Sequence, residues 1–406
     1  MYLGTLGHGH GDGLSDRRPS GSHHSATTSQ LVGVPSQSWR SSHVQWNGGA
    51  NDGFMRSVAQ VDPTVDPTVA MGYWDERDLP FYAALARTFA LADRWFCSCL
   101  GPTFPNRRFL VAATADGLID DELASVIDYP RTGTIFDVLD RYGISWADYH
   151  HVGQRELYRS QLRGAGMYLD RRARLLARRL LPGVVRQVRG DIRCTASLYP
   201  TGLLRIVRHL RPVEQFFAQA AAGTLPAFSI VDPDFAHGSE ENPQDIRSGQ
   251  AYTAKVIDAV MSGPGWGRTL MFWVYDEHGG YYDHVPPPAA VEPDDVLPRS
   301  LLDAGQPLRW LLRHSGAGRR IRYEDAGGGR YDRYGFRVPA VIVSPFARPG
   351  FVSSQVYDHT SILKLIEEKW NLPPLTERDA AAVAPWDMLD LDGAPAFLEP
   401  PRLPSA

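Results

Sequence analysis

The hydrophobic pattern of the chain is most distinctive between Thr269 and Pro288, where an apolar run ends in acidic residues and histidines. Six apolar or aromatic residues, from Leu270 to Tyr275, are typical of a strand covered on both faces. The residues that carry charge or a turn signal after this run are Asp276, Glu277, His278, Gly279, Gly280, Asp283 and His284. Carboxylates at the end of a buried strand favour a hard-cation or phosphate site, and a polar strand-to-loop junction is the simpler alternative.

Apolar spacing elsewhere predicts alternating strands and helices. Strands are predicted at 144–149, 227–231, 270–275 and 338–343, and helices at 80–96, 135–139, 249–261 and 358–370. The order strand, helix, strand between 227 and 275 predicts a right-handed crossover within a parallel sheet. Carboxylates at several strand ends, among them Asp232 and Asp276, would then meet at one edge of that sheet. The sequence therefore predicts an α/β fold.

The length and composition predict one main domain. With 406 residues, 43% of them apolar, the chain buries a large core, and α/β domains of this size need not divide. Residues 1–42 are rich in Gly, Ser, His and Thr and are expected to lie over the surface or to be partly mobile. We predict a catalytic domain at 43–390, with an Arg-rich helical insertion at 155–211, and a tail at 391–406.

The charge of the chain gives no reason to expect a nucleic acid partner, because the formal net charge is -4. Residues 155–211 are the exception, with 14 arginines and three acidic residues set among leucines. Such a basic amphipathic segment can touch an anionic membrane surface, and a solvated helical face is the alternative. Three cysteines argue against a disulfide framework, and no apolar run or basic start predicts a membrane span or an export signal.

A second candidate for chemistry is the loop GPTFPNR, which contains Thr103, Asn106 and Arg107. A neutral threonine is a weak nucleophile, so it needs a metal or a base, and Asp276 with Glu277 would hold such a metal. Arg107 offers a planar fork for phosphate oxygens, and Asn106 offers a neutral donor for the charge of the transition state. A tight structural turn is the alternative interpretation of this loop.

Two Asp-His pairs add candidates for proton transfer or metal ligation. His284 follows Asp283, and His359 follows Asp358. A helix cap or a hydrogen-bonded surface histidine is the alternative in each case. Weaker candidates are His150, His151 and His237. The sequence does not show, in a convincing context, the patterns of dinucleotide-binding, P-loop, HExxH or GxSxG proteins.

Six blocks, in this order, resemble the bacterial phosphoesterase family: ALADRWFCSCLGPTFPNRRFL, TIFDVLDRYGISWADY, ENPQDIRSGQAY, TLMFWVYDEHGGYYDHVPPP, VPAVIVSPFARPGFV and YDHTSILKLIEEKW. That family contains phosphatidylcholine-type and plant non-specific phospholipases C and related acid phosphatases. The resemblance covers the chain from about His43 to the mid-380s. It implies an alkaline-phosphatase-like α/β fold with a mostly parallel central sheet flanked by helices, and hydrolysis of a phosphoester through a covalent phospho-enzyme.

The resemblance also implies roles for individual residues. Thr103 matches the nucleophile of the family, and Asp276 with Glu277 matches its acidic pair for a divalent metal whose identity the sequence does not give. His284 and His359 fall in its active-site histidine motifs. Asn242 stands where many relatives have the histidine of Glu-His-Pro, so we assign it to the substrate side together with Asn106 and Arg107.

The beginning of the chain departs from the family pattern. Relatives open with a strand and a Glu-Asn-Arg-Ser-Phe-Asp motif, whereas this sequence begins MYLGTLGHGHGDGL. The first strand and the first metal ligands are therefore expected to be missing, which would leave a vacant place in the sheet. The resulting hypotheses are a phospholipase C-type phosphodiesterase acting on phospholipids, an acid phosphatase acting on monoesters, and an inactive member that binds anionic lipid.

Overall fold

The computed structural model of the chain describes residues 21–29, 33–121, 129–151, 194–198, 206–235, 237–298 and 329–406. The strands are β1 (His23–His24), β2 (Gly72–Tyr73), β3 (Ala90–Ala92), β4 (Trp146–His150), β5 (Leu210–Pro212), β6 (Phe228–Val231), β7 (Met271–Val274), β8 (Ala340–Val343) and β9 (Val352–Ser353). The α-helices are α1 (Trp39–Trp46), α2 (Phe54–Val61), α3 (Pro80–Thr88), α4 (Thr103–Ala112), α5 (Ile135–Arg141), α6 (Val213–Ala222), α7 (Ile246–Met261), α8 (Thr360–Trp370) and α9 (Glu377–Ala381). The predicted α/β class is confirmed.

The described strands form two larger sheets and one small one. In the first, β5, β4 and β6 are parallel, with β4 in the centre. In the second, the order is β7-β8-β3-β9, and β8 runs antiparallel to both of its neighbours while β9 is parallel to β3. The small sheet pairs β1 with β2 in parallel. Four of these six strand pairs are parallel, and helices cover both larger sheets.

The predicted crossover within one sheet is wrong for the described residues. The chain does run from β6 through α7 to β7, but β6 pairs with β4 and β7 pairs with β8. Each of the two strands is thus the edge of a different sheet. Local sequence patterns predicted the strands and the helix but not which strands pair, because strand pairing depends on contacts between residues distant in sequence.

The predicted helix at 80–96 is also shorter than expected. It ends at Thr88 because Phe89 adopts an extended backbone, and Ala90–Ala92 then pair with β8 and β9. A short apolar run fits a buried strand and a helical face equally well. The helix start is as expected, with Pro80 in the first turn, where a missing N–H costs nothing.

Packing extends beyond the predicted domain bounds. In the segment predicted as flexible, Trp39 is 1% exposed and packs edge-on against Tyr331. Near the other end, Phe397 packs against Phe89, and its carbonyl accepts the indole N–H of Trp266. The packed body therefore begins before His43 and includes part of the predicted tail. Most of the Arg-rich insertion lies outside the described residues.

The core surrounds the two larger sheets and α3. Tyr82 is fully buried and stacks on Trp273 of β7, with ring centroids 4.1 Å apart. All three cysteines are buried free thiols. No helix in the described ranges combines the length and the apolarity needed to cross a membrane.

Candidate active site

Thr103 is the first residue of α4 and lies half-buried in the wall of a cavity of about 1030 Å³. The main-chain N–H of Phe104, the next residue, donates to Oδ1 of Asp121 at 2.7 Å. The first N–H groups of a helix lack intrahelical acceptors and attract anions. The Thr103 hydroxyl therefore lies at a helix terminus suited to a phosphate, and a carboxylate already uses one of its N–H groups. The sequence did not single out Asp121.

Asn106 organises the loop that precedes Thr103. Its Oδ1 accepts the N–H of Cys99 at 3.0 Å, and its Nδ2 donates to the carbonyls of Gly101 and Pro102 at 2.9 and 3.0 Å. The side chain is fully buried. Both of its amide donors are thus committed to the main chain of the loop. Direct donation to substrate stays a prediction, and the observed contacts favour a positioning role.

Replacing Asn106 with alanine is expected to lower the free energy of unfolding by about 3 kcal/mol, because three buried main-chain groups lose their partner. Chemical denaturation measures this effect. If Asn106 positions Thr103, kcat falls while KM changes little. Gln355→Ala, which removes an exposed amide, is the control. An Asn106→Ala variant as stable as the parent would contradict the positioning role.

Arg107 joins the ends of two strands that belong to different sheets. Its Nε donates to Oδ2 of Asp276 at 2.5 Å, and one terminal nitrogen donates to Oδ1 of Asp232 at 2.9 Å. The same nitrogen donates to Oγ1 of Thr195 at 3.1 Å. Asp232 directly follows β6, and Asp276 follows β7 after one residue. Asp232 and Asp276 meet at Arg107, but they follow strands of two different sheets and not of one sheet as predicted.

The contacts of Asp232 were not evident from the sequence. Its carboxylate accepts both the N–H and the hydroxyl of Thr195, at 2.6 and 2.8 Å. Beside it, Asp148 of β4 is completely buried and accepts the N–H of Ala196. Burial, and then the negative charge of Asp232, raises the pKa of Asp148 well above its usual range. Arg107 therefore lies in a site that already contains an excess of carboxyl groups.

Asp276 and Glu277 lie at the turn that the Gly-Gly pair was predicted to form. Gly279 and Gly280 both have positive φ, 66° and 79°, and a Cβ on Gly280 would come within 2.8 Å of Pro35 and Ser36. Oε2 of Glu277 accepts the N–H of Gly279 at 2.7 Å. Burial raises the pKa of Glu277 well above its usual range, and the charge of Asp276 adds to this. Glu277 is buried and Asp276 is partly buried, with 26% of its side chain exposed, and two crowded carboxyl groups are a donor set that suits a hard cation.

His359 lies in the wall of the same cavity and is 2% exposed. Its Nε2 lies 2.7 Å from the carbonyl oxygen of Asp276, and its Nδ1 lies 3.4 Å from Nε1 of Trp95. The indole can only donate, so Nε2 carries the imidazole proton and donates to Asp276. Burial lowers the pKa of His359 and keeps the ring neutral. The ring therefore fixes the main chain of Asp276.

His278 and His284, which follow Asp276 in the sequence, make contacts different from those of His359. Nδ1 of His284 is 3.6 Å from Asp283 and 3.4 Å from Arg337, and His284 is not among the residues that line the cavity. Asp283 forms a bidentate ion pair with Arg337, whose Nε and one terminal nitrogen donate to the two carboxylate oxygens at 2.8 and 2.7 Å. His278 is buried and bonds to Gln45, and burial lowers its pKa to about 3. This arrangement places His284 beside Asp283 and Arg337 and not beside Thr103.

Asn242 does lie in the cavity wall. Its Nδ2 donates to the carbonyl of Gly279 at 3.3 Å, and its Oδ1 accepts the hydroxyl of Tyr281 at 3.0 Å. The amide therefore contacts the turn that carries Asp276 and Glu277. A role of Asn242 in substrate binding stays a prediction.

A further carboxyl group in the cavity wall, that of Glu240, was not singled out by sequence. The hydroxyl of Tyr82 donates to it, and a Cβ on Gly249 would come within 2.3 Å of its carboxyl carbon. Gly249 thus leaves the space that Glu240 occupies. Burial raises the pKa of Glu240 to about 7, while the Tyr82 hydrogen bond acts in the opposite direction and the charge of Asp276 reinforces the rise.

Glu240 makes stability depend on pH in a predictable direction. Its pKa is higher in the folded state, about 7, than the ordinary value of 4.5, so the folded state binds the proton more tightly. The free energy of unfolding is expected to fall as pH rises from 4.5 to 7, by at most about 3 kcal/mol. Glu240→Gln should remove this decline in denaturation curves, and Glu214→Gln, at an exposed site, should not. A decline that persists in Glu240→Gln would contradict the assignment.

A second group of metal-ligating side chains lies near the small sheet. His24, Asp75 and Asp78 each offer a ligand atom within 4.8 Å of the others. Nε2 of His24 is 2.7 Å from Asp78, and Asp75 is also paired with Arg77. Of the described residues, this is the group of three or more that meets the spacing for a metal. No sequence pattern predicted this group.

The fold and the site define the class to which the protein belongs. The model of the Phosphoesterase family matches residues 15–373, and the chain is a member of that family. The predicted resemblance is confirmed.

Curated relatives narrow the comparison. Phospholipase C A of Mycobacterium tuberculosis is 27% identical over 357 residues, which cover 85% of this chain and 60% of that protein. Non-specific phospholipase C6 of Arabidopsis thaliana is 29% identical over 349 residues, covering 81% and 55%. Non-hemolytic phospholipase C of Pseudomonas aeruginosa is 26% identical over 361 residues, covering 86% and 46%. The chain thus spans about half of the length of these relatives.

Among solved structures, human ectonucleotide pyrophosphatase / phosphodiesterase 5 aligns with a TM-score of 0.37 and 12% identity. The alignment covers 77% of this chain and 94% of that one. A likeness at this level supports no conclusion about fold or function.

Proposed function

We propose that the protein hydrolyses phosphodiesters of the phospholipase C type, with Thr103 as the nucleophile. The observation that carries this proposal is the position of Thr103 at the start of α4, in one cavity with Arg107, Asp276 and His359. These residues come from three separate parts of the chain, since Thr103 and Arg107 both belong to α4. Membership of the Phosphoesterase family and the phospholipase C relatives support the same reaction class.

The reaction divides into two displacements at phosphorus. Oγ1 of Thr103 attacks, the bond to the diacylglycerol oxygen breaks, and that oxygen leaves with a proton. Thr103 then carries a phosphorylated head group. Water attacks the same phosphorus, releases the head-group phosphate and returns the proton to Thr103. The main-chain N–H of Thr103 would bind a non-bridging oxygen in both steps, since the N–H of Phe104 already donates to Asp121 and Pro105 has none.

Arg107 would orient the phosphate. Its Nε and one terminal nitrogen bind Asp276, Asp232 and Thr195, so the fork is held in place. Among the described residues, its other terminal nitrogen has no hydrogen-bond acceptor and can donate to phosphate. Burial opposes the charge on Arg107, but Asp276 and Asp232 raise its pKa, so it stays cationic.

Asp276 and Glu277 would hold a divalent metal. Their oxygen donors, the burial of Glu277 and its raised pKa fit a hard cation. A bound cation lowers the pKa of a nearby hydroxyl and neutralises charge on phosphate. Asp276 is shared with Arg107, so its second oxygen is the one available to a metal.

Metal binding distinguishes the two candidate sites. Titration of the apo-protein with Mn²⁺ or Ca²⁺ in a calorimeter is expected to show a site that is lost in Asp276→Asn with Glu277→Gln. The matched variant is His24→Ala, which removes a ligand of the other group. If His24→Ala abolishes the binding and the double variant preserves it, the assignment to Asp276 and Glu277 is wrong.

Substrate preference tests the reaction class. Hydrolysis of p-nitrophenyl phosphorylcholine and p-nitrophenyl phosphate should be compared in the presence of divalent metals. A phospholipase C-type enzyme is expected to prefer the diester. A preference for the monoester would replace this proposal with an acid phosphatase, and a folded protein inactive on both would favour a member that only binds lipid.

A further inference from the structure

The edges of β6 and β7 face the same cavity. Every residue of both strands lines it: Phe228, Ser229, Ile230, Val231, Met271, Phe272, Trp273 and Val274. Successive side chains of a strand point to opposite faces, so a pocket on one face would touch alternate residues only. A cavity that touches all of them lies along the main-chain edge of each strand and extends over both faces.

Hydrogen-bond alternation shows which main-chain groups point into the cavity. In β6, the N–H groups of Phe228 and Asp232 donate to Ser145 and Tyr149, on the side of β4. The N–H groups of Ser229 and Val231, at the alternate positions, therefore point away from β4. No described residue provides a main-chain partner for them.

The same alternation applies to β7. The N–H of Tyr275 donates to the carbonyl of Pro339, so Trp273 and Met271 bond to β8 as well. Phe272 and Val274 then direct their N–H and C=O groups to the open side. Both edges that border the cavity thus carry unpaired main-chain donors and acceptors within the described ranges.

The two edges end at the same place. Asp232, after β6, and Asp276, after β7, both bind the single guanidinium of Arg107. The ends of the strands are therefore held within the reach of one side chain. Two strands that flank a third lie roughly 9–10 Å apart, since neighbouring strands are about 4.8 Å apart.

Apolar side chains of two helices form part of the remaining wall. Val256 and Val260 of α7 and Ile362, Leu365 and Ile366 of α8 line the cavity. A hydrocarbon chain would pack well against these apolar side chains. It would, however, bury the main-chain N–H and C=O groups of both edges without hydrogen-bond partners, which costs free energy. An extended main chain with apolar side chains satisfies both these walls and the edges.

We propose that the space between β6 and β7 binds one extended apolar peptide segment, which pairs with both edges and joins the two sheets into one. Central strands of such sheets are apolar on both faces, as these walls require. The polar end of the cavity, at Thr103 and Arg107, lies beyond the strand ends and stays open. This site does not depend on the proposed activity.

Amide hydrogen exchange of the full chain tests the proposal. The probe is the synthetic peptide acetyl-Lys-Val-Ile-Val-Ile-Val-Lys-amide, whose lysines keep it soluble. We expect binding, and slowing of exchange at Ser229, Val231, Phe272 and Val274 by at least about tenfold. The same peptide with N-methyl groups on its three valines has matched side chains but cannot pair on one edge, and it should not bind.

A matched pair of variants tests the edge itself. Ser229→Pro removes one outward N–H without touching the bonds to β4, and proline is tolerated at strand edges. It should abolish peptide binding, whereas Ser229→Ala should bind as the parent does. Three results would overturn the proposal. The N-methylated peptide could protect these amides equally well, or the amides could be fully protected without any peptide. Dodecylphosphocholine could also displace the peptide while the protection stays unchanged.

Discussion

Replacement of Thr103 by alanine is expected to reduce turnover of p-nitrophenyl phosphorylcholine by about a thousandfold or more. The hydroxyl is the only group at the start of α4 that can form the covalent bond to phosphorus. Initial rates of hydrolysis at saturating substrate measure the effect on kcat. The free energy of unfolding should change by less than about 0.5 kcal/mol, because Thr103 is half-buried and lies at the first position of its helix.

Thr103→Ser is the matched control for this prediction. Serine retains the hydroxyl and loses one methyl group, so kcat should stay within about tenfold of the parent value. Undiminished turnover in Thr103→Ala would show that the nucleophile lies elsewhere. Equal loss in both variants would show that the methyl group, and thus packing, is what matters at this position.

Replacement of Arg107 by alanine is expected to have the largest effect on stability. It would leave the carboxylates of Asp232 and Asp276 without their cation in a buried site, which costs about 3–5 kcal/mol. Activity should fall as well, because the carboxylate of Asp276 would lose the contact that orients it. Denaturant unfolding and the diesterase assay measure the two losses separately.

An arginine of the same kind on the surface provides the control. Arg208 pairs with Asp140 at 2.9 Å, but its side chain is 69% exposed, so Arg208→Ala should cost no more than about 1 kcal/mol. Arg107→Lys keeps the charge and loses the planar fork, and it should recover only part of the stability. If Arg107→Ala is as mild as Arg208→Ala, the bridge between the strand ends contributes little to the fold.

The parts of the site that sequence predicted are those with local causes. An apolar run that stops at Asp276 and Glu277 predicts a strand end, and the Gly279-Gly280 pair predicts the turn, since positive φ suits glycine. The prolines around Thr103 predict a stiff loop, and α4 begins there. Each of these signals depends on neighbours within a few residues.

The parts that sequence missed depend on contacts far apart in the chain. Arg107 was expected to face phosphate, but it also joins Asp232 and Asp276, 125 and 169 residues away. His284 and His359 have the same Asp-His pattern, yet only His359 reaches the cavity. The pairing of β6 and β7 with different sheets is likewise decided by tertiary contacts. Such partners follow from the fold and not from local patterns.

The most direct test of the central claim is to trap the covalent intermediate. The protein is mixed with p-nitrophenyl phosphorylcholine and a divalent metal, quenched in acid within the first turnovers, digested and analysed by mass spectrometry. We predict a phosphorylcholine group on Thr103 in the parent protein and none in Thr103→Ala. Turnover without an adduct, or an adduct on another residue, would contradict the assignment of Thr103 as the nucleophile.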